Sequence, residues 1–202
     1  MPRPAPVVLG LGGSMRPTSR ALEALRVALV GAARAGARTR LLSVRDLSLP
    51  LLDPDQPVRA GAANTLLEEA GRADAVILAS PVYQGTVSGA LKNALDHLWS
   101  VEHDELHLLA GRVVGRISVS GSLPVSGASL ALQTACRALG AWVLPDPVDL
   151  GGGSFDAEDA LCDLFARDRL HRLGRLVTLA AVARAAQERV GTAADALART
   201  DG

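Results

Sequence analysis

The architecture of this chain follows from nine residues near its start, Gly12-Gly13-Ser14-Met15-Arg16-Pro17-Thr18-Ser19-Arg20. A short apolar run over residues 6–11 leads into them, and a helical pattern from about Arg20 to Ala35 follows. This order predicts a buried strand, a tight polar loop and the start of a helix. The two glycines let the backbone turn sharply and approach a ligand closely.

The side chains of this first loop favour an anionic ligand. Ser14, Thr18 and Ser19 offer hydroxyl groups, and Arg16 offers a forked cation that suits a phosphate. A helix that begins near Ser19 turns its unpaired backbone N–H groups toward the same point. The loop therefore predicts a phosphate site, with ordinary strand-to-helix punctuation as the alternative interpretation.

Two well-known phosphate motifs do not describe this loop. A Walker loop ends in Gly-Lys-Ser or Gly-Lys-Thr, and the loop contains no lysine. The dinucleotide fingerprint Gly-x-Gly-x-x-Gly would need a third glycine after Gly10 and Gly12, where the chain has Met15. The interpretation of the loop therefore depends on residues further along the chain.

Length and composition predict one α/β domain with a full apolar core. The chain has 202 residues, of which 49% are hydrophobic and only 2% aromatic. So few aromatic side chains exclude the row of stacking platforms that many binders of single-stranded nucleic acid use. Basic and acidic residues number 21 each, so no global field attracts nucleic acid or an anionic membrane, although local patches are still allowed.

The sequence favours a cytoplasmic protein, because neither a secretory signal nor an apolar stretch long enough to span a membrane is apparent. The isolated Cys136 and Cys162 lie in helical patterns, and we expect buried apolar residues rather than a disulfide or a metal pair. Residues 1–202 are expected to form a single domain. Its predicted ends are a short loose tail over residues 1–4 and a frayed tail over about residues 191–202.

Strand and helix patterns alternate along the chain. The predicted strands cover residues 6–11, 38–44, 74–80, 113–119 and 141–150, the last one broken or bent by Pro145 and Pro147. The predicted helices cover about residues 20–35, 60–72, 89–99, 128–139 and 156–189, the last as one helix or as two that meet near Arg169. This alternation implies a parallel sheet with helices on both faces, whose ligands bind beyond the carboxyl ends of the strands.

Three polar loops occupy those carboxyl ends, at residues 12–19, 81–88 and 120–127. The second loop holds the only tyrosine of the chain, Tyr83, and the third has backbone amides available around Gly121. A phosphate pocket beside one aromatic ring and exposed amides fits a phosphorylated ring system, for which FMN is the natural candidate. The alternative is that Tyr83 is merely a half-buried core aromatic.

Two of these loops carry motifs by which the sequence resembles the NADPH-dependent FMN reductase family of flavodoxin-like proteins. The family phosphate loop, Gly-Ser-x-Arg-x-x-Ser, is matched by residues 13–19, which read Gly-Ser-Met-Arg-Pro-Thr-Ser. The family pattern Ser-Pro-x-Tyr, followed by Gly-x-Leu-Lys-Asn-x-Leu-Asp, is matched by residues 80–83 and 89–96. The resemblance covers about residues 6–150 and implies a flavodoxin-like fold with a five-stranded parallel sheet in the order 2-1-3-4-5.

The resemblance also implies roles for the loop residues. In the first loop, Ser14, Arg16, Thr18 and Ser19 would hold the FMN phosphate. The flavin ring would be lined by Pro81, Val82, Tyr83 and Gln84 on one side and met by Gly121 and Ser122 at its other edge. Family members often carry paired glycines in the third loop, where this chain has Ser120-Gly121-Ser122. The resemblance therefore does not specify the contacts to that edge of the flavin or the path by which the nicotinamide approaches.

The implied function is hydride transfer from NADPH or NADH to FMN, with electrons passed on to free flavin, a monooxygenase, a quinone or an azo compound. No catalytic side chain is required, because the flavin performs the chemistry. The resemblance also implies a homodimer or homotetramer built partly on the helix that carries Lys92, Asn93 and Asp96. The alternatives are a flavodoxin-like electron carrier and an interaction module that has lost its cofactor.

Two further features have a structural and a functional interpretation. The proline-rich segment at residues 45–57 is either a surface connection or a wall of the ligand site. His97, His103 and His107 lie near acidic residues, but their spacing fits no strong metal pattern and predicts a solvated helix end. We therefore expect no metal site, and no serine hydrolase elbow of the form Gly-x-Ser-x-Gly is present in the sequence.

Overall fold

A computed structural model of the chain describes residues 4–55, 61–100, 102–103 and 106–200. Its strands are β1 (Val7–Gly12), β2 (Arg38–Ser43), β3 (Ala75–Tyr83), β4 (Thr86–Val87), β5 (Glu102–His103), β6 (Leu106–His107), β7 (Val113–Val119), β8 (Trp142–Val143) and β9 (Val148–Leu150). Its helices are α1 (Arg20–Arg34), α2 (Val44–Leu47), α3 (Ala62–Arg72), α4 (Gly89–Trp99), α5 (Gly127–Ala138) and α6 (Leu164–Thr200), with a 3₁₀ turn at Gly152–Ser154.

The main sheet runs in the order β2-β1-β3-β7-β8, and all of these neighbours pair in parallel. The predicted flavodoxin-like α/β class is confirmed, but the sheet has seven strands rather than five. One reason is the short β4, which folds back against the end of β3. The other is that the predicted last strand is split into β8 and β9, both paired with β7, because Pro145 and Pro147 interrupt the ladder between them.

Two apolar layers cover the sheet. Alternate side chains of each strand face opposite layers, so that Val8 packs on the side of α1 and α6, whereas Leu9 packs on the side of α3, α4 and α5. Helix α1 presents alanines and leucines at helical spacing to its layer. Its amino end is capped by Ser19, whose hydroxyl accepts from the backbone N–H of Leu22 at 3.3 Å. The cap fixes where the first loop ends.

The carboxy-terminal helix begins later than predicted. Helix α6 runs from Leu164 to Thr200 rather than from about residue 156, and it is continuous, as in the one-helix alternative. Alanines are frequent from residue 180 onward, and alanine has the highest helix propensity. None of the helices among the described residues is both long and apolar enough to cross a membrane.

The two cysteines have different environments. Cys136 is buried in α5, where loss of solvation raises the pKa of its thiol to about 12, although the neighbouring Arg116 acts in the opposite direction. Cys162 is exposed and lies before α6 rather than inside a helix. The predicted burial of Cys162 is therefore wrong, because the turn that ends the sheet keeps it outside the core.

The described part of the proline-rich segment packs against α4. It begins with the short helix α2, which the sequence did not predict. The Asn93 amide donates to the Pro50 carbonyl at 2.8 Å and accepts from the Leu52 N–H at 2.9 Å. His97, which was expected at a solvated helix end, is buried with its Nε2 2.9 Å from the same Pro50 oxygen. Asn93 thus serves contacts within the chain.

Candidate functional site

A cleft of about 370 Å³ opens at the carboxyl ends of β1, β3 and β7. Residues from the first loop, the second loop, the third loop and the turn that precedes α6 line it: Ser14, Arg16, Thr18, Ser19, Arg20, Ala21, Pro81, Val82, Tyr83, Val119, Ser120, Gly121, Ala157 and Asp159. Strand order reverses between β1 and β3, since the chain passes from β1 to β2 on one side and then crosses to β3 on the other. Ligands of open α/β sheets bind at this position.

Gly13 anchors the first loop to β3 and to the start of α4. The Gly13 N–H donates to the Ala79 carbonyl at 2.7 Å, and the Gly13 carbonyl accepts from the Ser88 hydroxyl at 2.6 Å. A Cβ at Gly13 would lie 2.6 Å from the Leu91 Cβ. The glycine was expected to let a ligand approach the backbone closely. In the structure, its missing side chain lets α4 approach the loop instead.

Two serines of the first loop line the cleft, and each hydroxyl accepts a hydrogen bond from a backbone N–H group. Ser14 is only 5% exposed, and its Oγ accepts from the Arg16 N–H at 3.2 Å. The Ser19 Oγ likewise accepts from the Leu22 N–H. Each hydroxyl uses a lone pair in these contacts, so its proton is available for an anion in the cleft. The first turn of α1 adds backbone N–H groups and the positive end of its dipole.

The second loop is the extension of β3 into a hairpin with β4. Gln84 and Gly85 form its two-residue turn with φ values of 47° and 78°. Positive φ at both positions is the signature of a type I′ turn, which matches the twist of the flanking strands. Gln84, in this turn, is not among the residues that line the cleft. Tyr83 lines the cleft with 44% of its surface exposed, so it is not a half-buried core aromatic.

The third loop is folded against the triglycine segment that follows β9. The Gly152 N–H donates to the Ser122 carbonyl at 2.7 Å, and a Cβ at Gly152 would overlap the Gly121 carbonyl oxygen. The segment continues into a 3₁₀ turn at Gly152–Ser154. Gly121 lines the cleft, whereas Ser122 does not.

The carboxy-terminal side of the cleft contains an ion pair that the sequence did not reveal. The Arg20 Nε donates to the Asp159 Oδ1 at 2.6 Å, across 139 positions of the chain. The Arg20 guanidinium also lies 5.7 Å from the centre of the Phe155 ring. No local signal points to Asp159, because its place depends on how the chain turns after β9.

The structure brings most of the predicted site residues to one cleft. The residues that line it are Ser14, Arg16, Thr18, Ser19, Pro81, Val82, Tyr83 and Gly121, and the two that lie apart are Gln84 and Ser122. The cleft also contains polar residues that were not predicted as site residues: Arg20, Asp159 and Ser120, the last being the first residue after β7. Its position directly after a buried strand was a usable signal, since polar residues at that point face the ligand edge of the sheet.

Comparison with known proteins places these loops in a family. The family model for NADPH-dependent FMN reductase matches residues 6–153 of the chain. An iron-sulfur flavoprotein from Methanocaldococcus jannaschii is 36% identical over 85 residues, 42% of this chain and 41% of the relative. An FMN-dependent NADPH-azoreductase from Staphylococcus saprophyticus is 37% identical over 93 residues, 35% of this chain and 50% of the relative. The matched segment thus spans about half or less of each relative.

Solved structures share the fold at low sequence identity. An apo structure of an NADH:FMN oxidoreductase superimposes with a TM-score of 0.68 and 21% identity, over 87% of this chain and 90% of the other. A flavoenzyme NAD(P)H:acceptor oxidoreductase from Paracoccus denitrificans gives 0.69 and 18%, over 86% and 96%. These matches support the flavodoxin-like architecture.

Proposed function

The chain belongs to the NADPH-dependent FMN reductase family, and from this premise we propose that it binds FMN in the cleft and reduces it with NADPH or NADH. The observation that carries the proposal is the convergence of the two family motifs. Residues of the Gly-Ser-x-Arg-x-x-Ser loop and of the Ser-Pro-x-Tyr segment, far apart along the chain, line the same cleft.

The phosphate of FMN would bind at the first loop. Arg16 would supply the main positive charge, and Ser14 and Ser19 would donate their hydroxyl protons. Thr18 lines the same part of the cleft and would add a third hydroxyl. The amino end of α1 favours a dianion at this point, because the unpaired N–H groups and the helix dipole both attract negative charge.

The flavin ring would lie between the second and third loops. Pro81 and Val82 offer an apolar wall, Tyr83 offers an aromatic face and Gly121 offers backbone that can approach the ring closely. The proposed ring site does not include Gln84 and Ser122, because neither lines the cleft. The chain would thus hold a flat ring at the sheet edge and leave one side of it open to a second planar molecule.

When bound, FMN supplies the capacity to accept a hydride and to release its electrons to an acceptor. The protein contributes orientation rather than proton transfer. The cleft residues that the structure describes include no histidine, lysine or glutamate, and their one carboxylate, Asp159, is paired with Arg20. The side chains would position the two rings and keep water away from the apolar wall.

For the final electron acceptor, we propose a small planar molecule such as a quinone or an azo compound. The azoreductase relative supports this class, and the open side of the cleft next to Tyr83 would accommodate it. Transfer of reduced flavin to a monooxygenase is the second candidate. A cytoplasmic location suits both, because the two cysteines are free thiols and reduced nicotinamide is available there.

Anaerobic mixing of the purified protein with FMN and NADPH, then with NADH, tests the proposal. We expect nicotinamide absorbance and oxidised flavin absorbance to fall together. Addition of a quinone, an azo dye or free flavin should then restore the oxidised flavin and rank the acceptors. FMN binding without bleaching by either nicotinamide would instead identify an electron carrier, and absence of FMN binding would refute the proposed site.

We further propose a homodimer whose subunits meet at the face of α4. Trp99 and Leu51 are 52% and 85% exposed on this face, beside Lys92 and Asp96. Trp99→Glu should convert the assembly to monomers in light scattering coupled to size exclusion. Trp142→Glu is the matched control, because Trp142 is also exposed, at 61%, but lies on the edge strand β8. Equal masses for the wild type and Trp99→Glu would contradict this interface.

A further inference from the structure

The turn before α6 brings a carboxylate into a cleft that otherwise favours anions. Residues 155–161 follow the stretch that the family model matches, which ends at residue 153. Arg16 and Arg20 both line the cleft, and Asp159 is the acidic residue among the lining residues. Without this carboxylate, the cleft in which the phosphate is proposed to bind would be lined by two arginines and no acidic residue.

The turn is built to hold this carboxylate in place. The Asp156 Oδ1 accepts from the N–H groups of Glu158 at 3.1 Å and Ala160 at 2.8 Å, and Phe155 and Leu161 close the base of the turn as a buried antiparallel bridge. Asp159 itself has a φ of 63°. Aspartate tolerates this left-handed conformation better than most side chains do.

Two groups contact the Arg20 side chain, and the glycine at position 152 leaves room for it. Asp159 accepts from its Nε, the Phe155 ring lies 5.7 Å from its guanidinium carbon, and a Cβ at Gly152 would lie 3.1 Å from its Nη1. Its side chain is 32% exposed and that of Asp159 is 23% exposed. The pair is therefore partly shielded from solvent and from salt, so its charges are felt in the cleft.

We propose that Asp159 is a positioning residue that neutralises Arg20 and thereby lowers the affinity of the cleft for a phosphate dianion. This inference rests on the proposed FMN site. In the wild type, Arg16 and the loop amides carry the attraction, while Arg20 is engaged by Asp159. Removal of the carboxylate charge exposes a second cation to the phosphate, and removal of Arg20 leaves an unpaired carboxylate that repels it.

The test compares the affinities of FMN and riboflavin for wild type, Asp159→Asn, Arg20→Gln and the double variant. The asparagine side chain in Asp159→Asn keeps an oxygen that can accept a hydrogen bond from the Arg20 Nε. We expect Asp159→Asn to bind FMN about 3- to 10-fold more tightly than the wild type at low ionic strength. Its affinity for FMN should fall more steeply with added salt, and its affinity for riboflavin should be unchanged. Arg20→Gln should weaken FMN binding, and the double variant should return toward the wild type.

Glu158→Gln is the matched control. It removes the same charge from the same turn, one residue away, but Glu158 is exposed and does not line the cleft. Its ratio of FMN to riboflavin affinity should equal that of the wild type. A purely structural role for Asp159 would change both flavins together, and an unchanged or lowered ratio in a folded Asp159→Asn protein would overturn the inference.

Inorganic phosphate separates this inference from the proposed function. Phosphate should raise the melting temperature of Asp159→Asn more than that of the wild type, whether or not flavin binds. Failure of the wild type to bind FMN would refute the proposed function, while the phosphate measurement would still decide the role of Asp159. Equal stabilisation of both proteins by phosphate would count against that role.

Discussion

At the scale of single residues, Arg116 shows how a buried charge repairs an interrupted sheet. It lies in β7 and is 2% exposed. Between β8 and β9 the chain leaves the ladder, and the guanidinium donates to the freed carbonyls of Leu144 at 2.8 Å and Pro145 at 3.0 Å. It also donates to the Ser129 carbonyl and to the Gln133 side chain. These four acceptors offset part of the loss of solvation that lowers the pKa of Arg116.

Arg116→Lys should destabilise the protein by about 2–4 kcal/mol, because an ammonium group cannot reach four acceptors that are arranged around a planar fork. Urea denaturation measures the loss. Arg137→Lys, an exposed position at the end of the adjacent helix, should leave the midpoint within experimental error. Equal midpoints for the wild type and Arg116→Lys would show that the hydrogen bonds of the guanidinium are dispensable.

Arg16 is the residue on which the proposed phosphate site depends most. Arg16→Ala should weaken FMN binding by about 10- to 100-fold, the loss expected for charge-assisted hydrogen bonds to a phosphate. Fluorescence titration of FMN and riboflavin measures it, and riboflavin affinity should barely change. Arg26→Ala, which removes an exposed cation from the outer side of α1, is the control. A parallel loss for both flavins would assign Arg16 a structural role instead.

At the scale of elements, two glycines set the distance between α1 and α6. A Cβ at Gly31 would overlap the His171 carbonyl oxygen, and a Cβ at Gly174 would overlap the Ala28 carbonyl oxygen. The two helix backbones therefore touch directly, and α6 closes the apolar layer under α1. This contact also holds the carboxy-terminal half of the chain against the helix that begins at the first loop.

Gly174→Ala should therefore destabilise the protein by about 1–3 kcal/mol, despite the higher helix propensity of alanine, since the obstructing atom is backbone and cannot rotate away. Thermal and urea denaturation both report this loss. Gly71→Ala in α3 is the control, because a Cβ there meets nothing within 4 Å, and it should be neutral or slightly stabilising. A neutral Gly174→Ala would mean that the helices separate at little cost.

At the scale of the whole molecule, the proposed site joins distant parts of the chain. The first loop follows β1, the second extends β3, the third follows β7, and Asp159 precedes α6. A ligand that contacts all four segments stabilises the native state as a unit, because the unfolded chain cannot present them together.

FMN at about 100 times its dissociation constant should add about 2.7 kcal/mol to the free energy of unfolding. For a domain of this size, this corresponds to a rise in melting temperature of about 5–10 °C. Differential scanning calorimetry with FMN measures the rise, and riboflavin at the same concentration should give a smaller one. A melting temperature that does not respond to saturating FMN would show that the ligand misses the folded cleft.

Local patterns were sufficient to predict the main strands and helices and most of the residues that line the cleft. Short apolar runs and helical spacing reflect which faces are buried, so the strands at residues 7–12 and 113–119 and the helix capped by Ser19 were predictable. The two motifs of the first and second loops are also local. Because the carboxyl ends of parallel strands share one edge, Ser14 and Tyr83 were expected at the same edge of the sheet, and both line the cleft there.

Other features depend on contacts between distant segments, which periodicity does not encode. Gln84, in the I′ turn with Gly85, does not line the cleft, and the turn before α6 exposes Cys162. Asp159 reaches Arg20 only because the chain after β9 folds back over the sheet edge. The pattern of hydrophobic residues determines which faces are buried, but the backbone path of each connection determines which polar side chains meet.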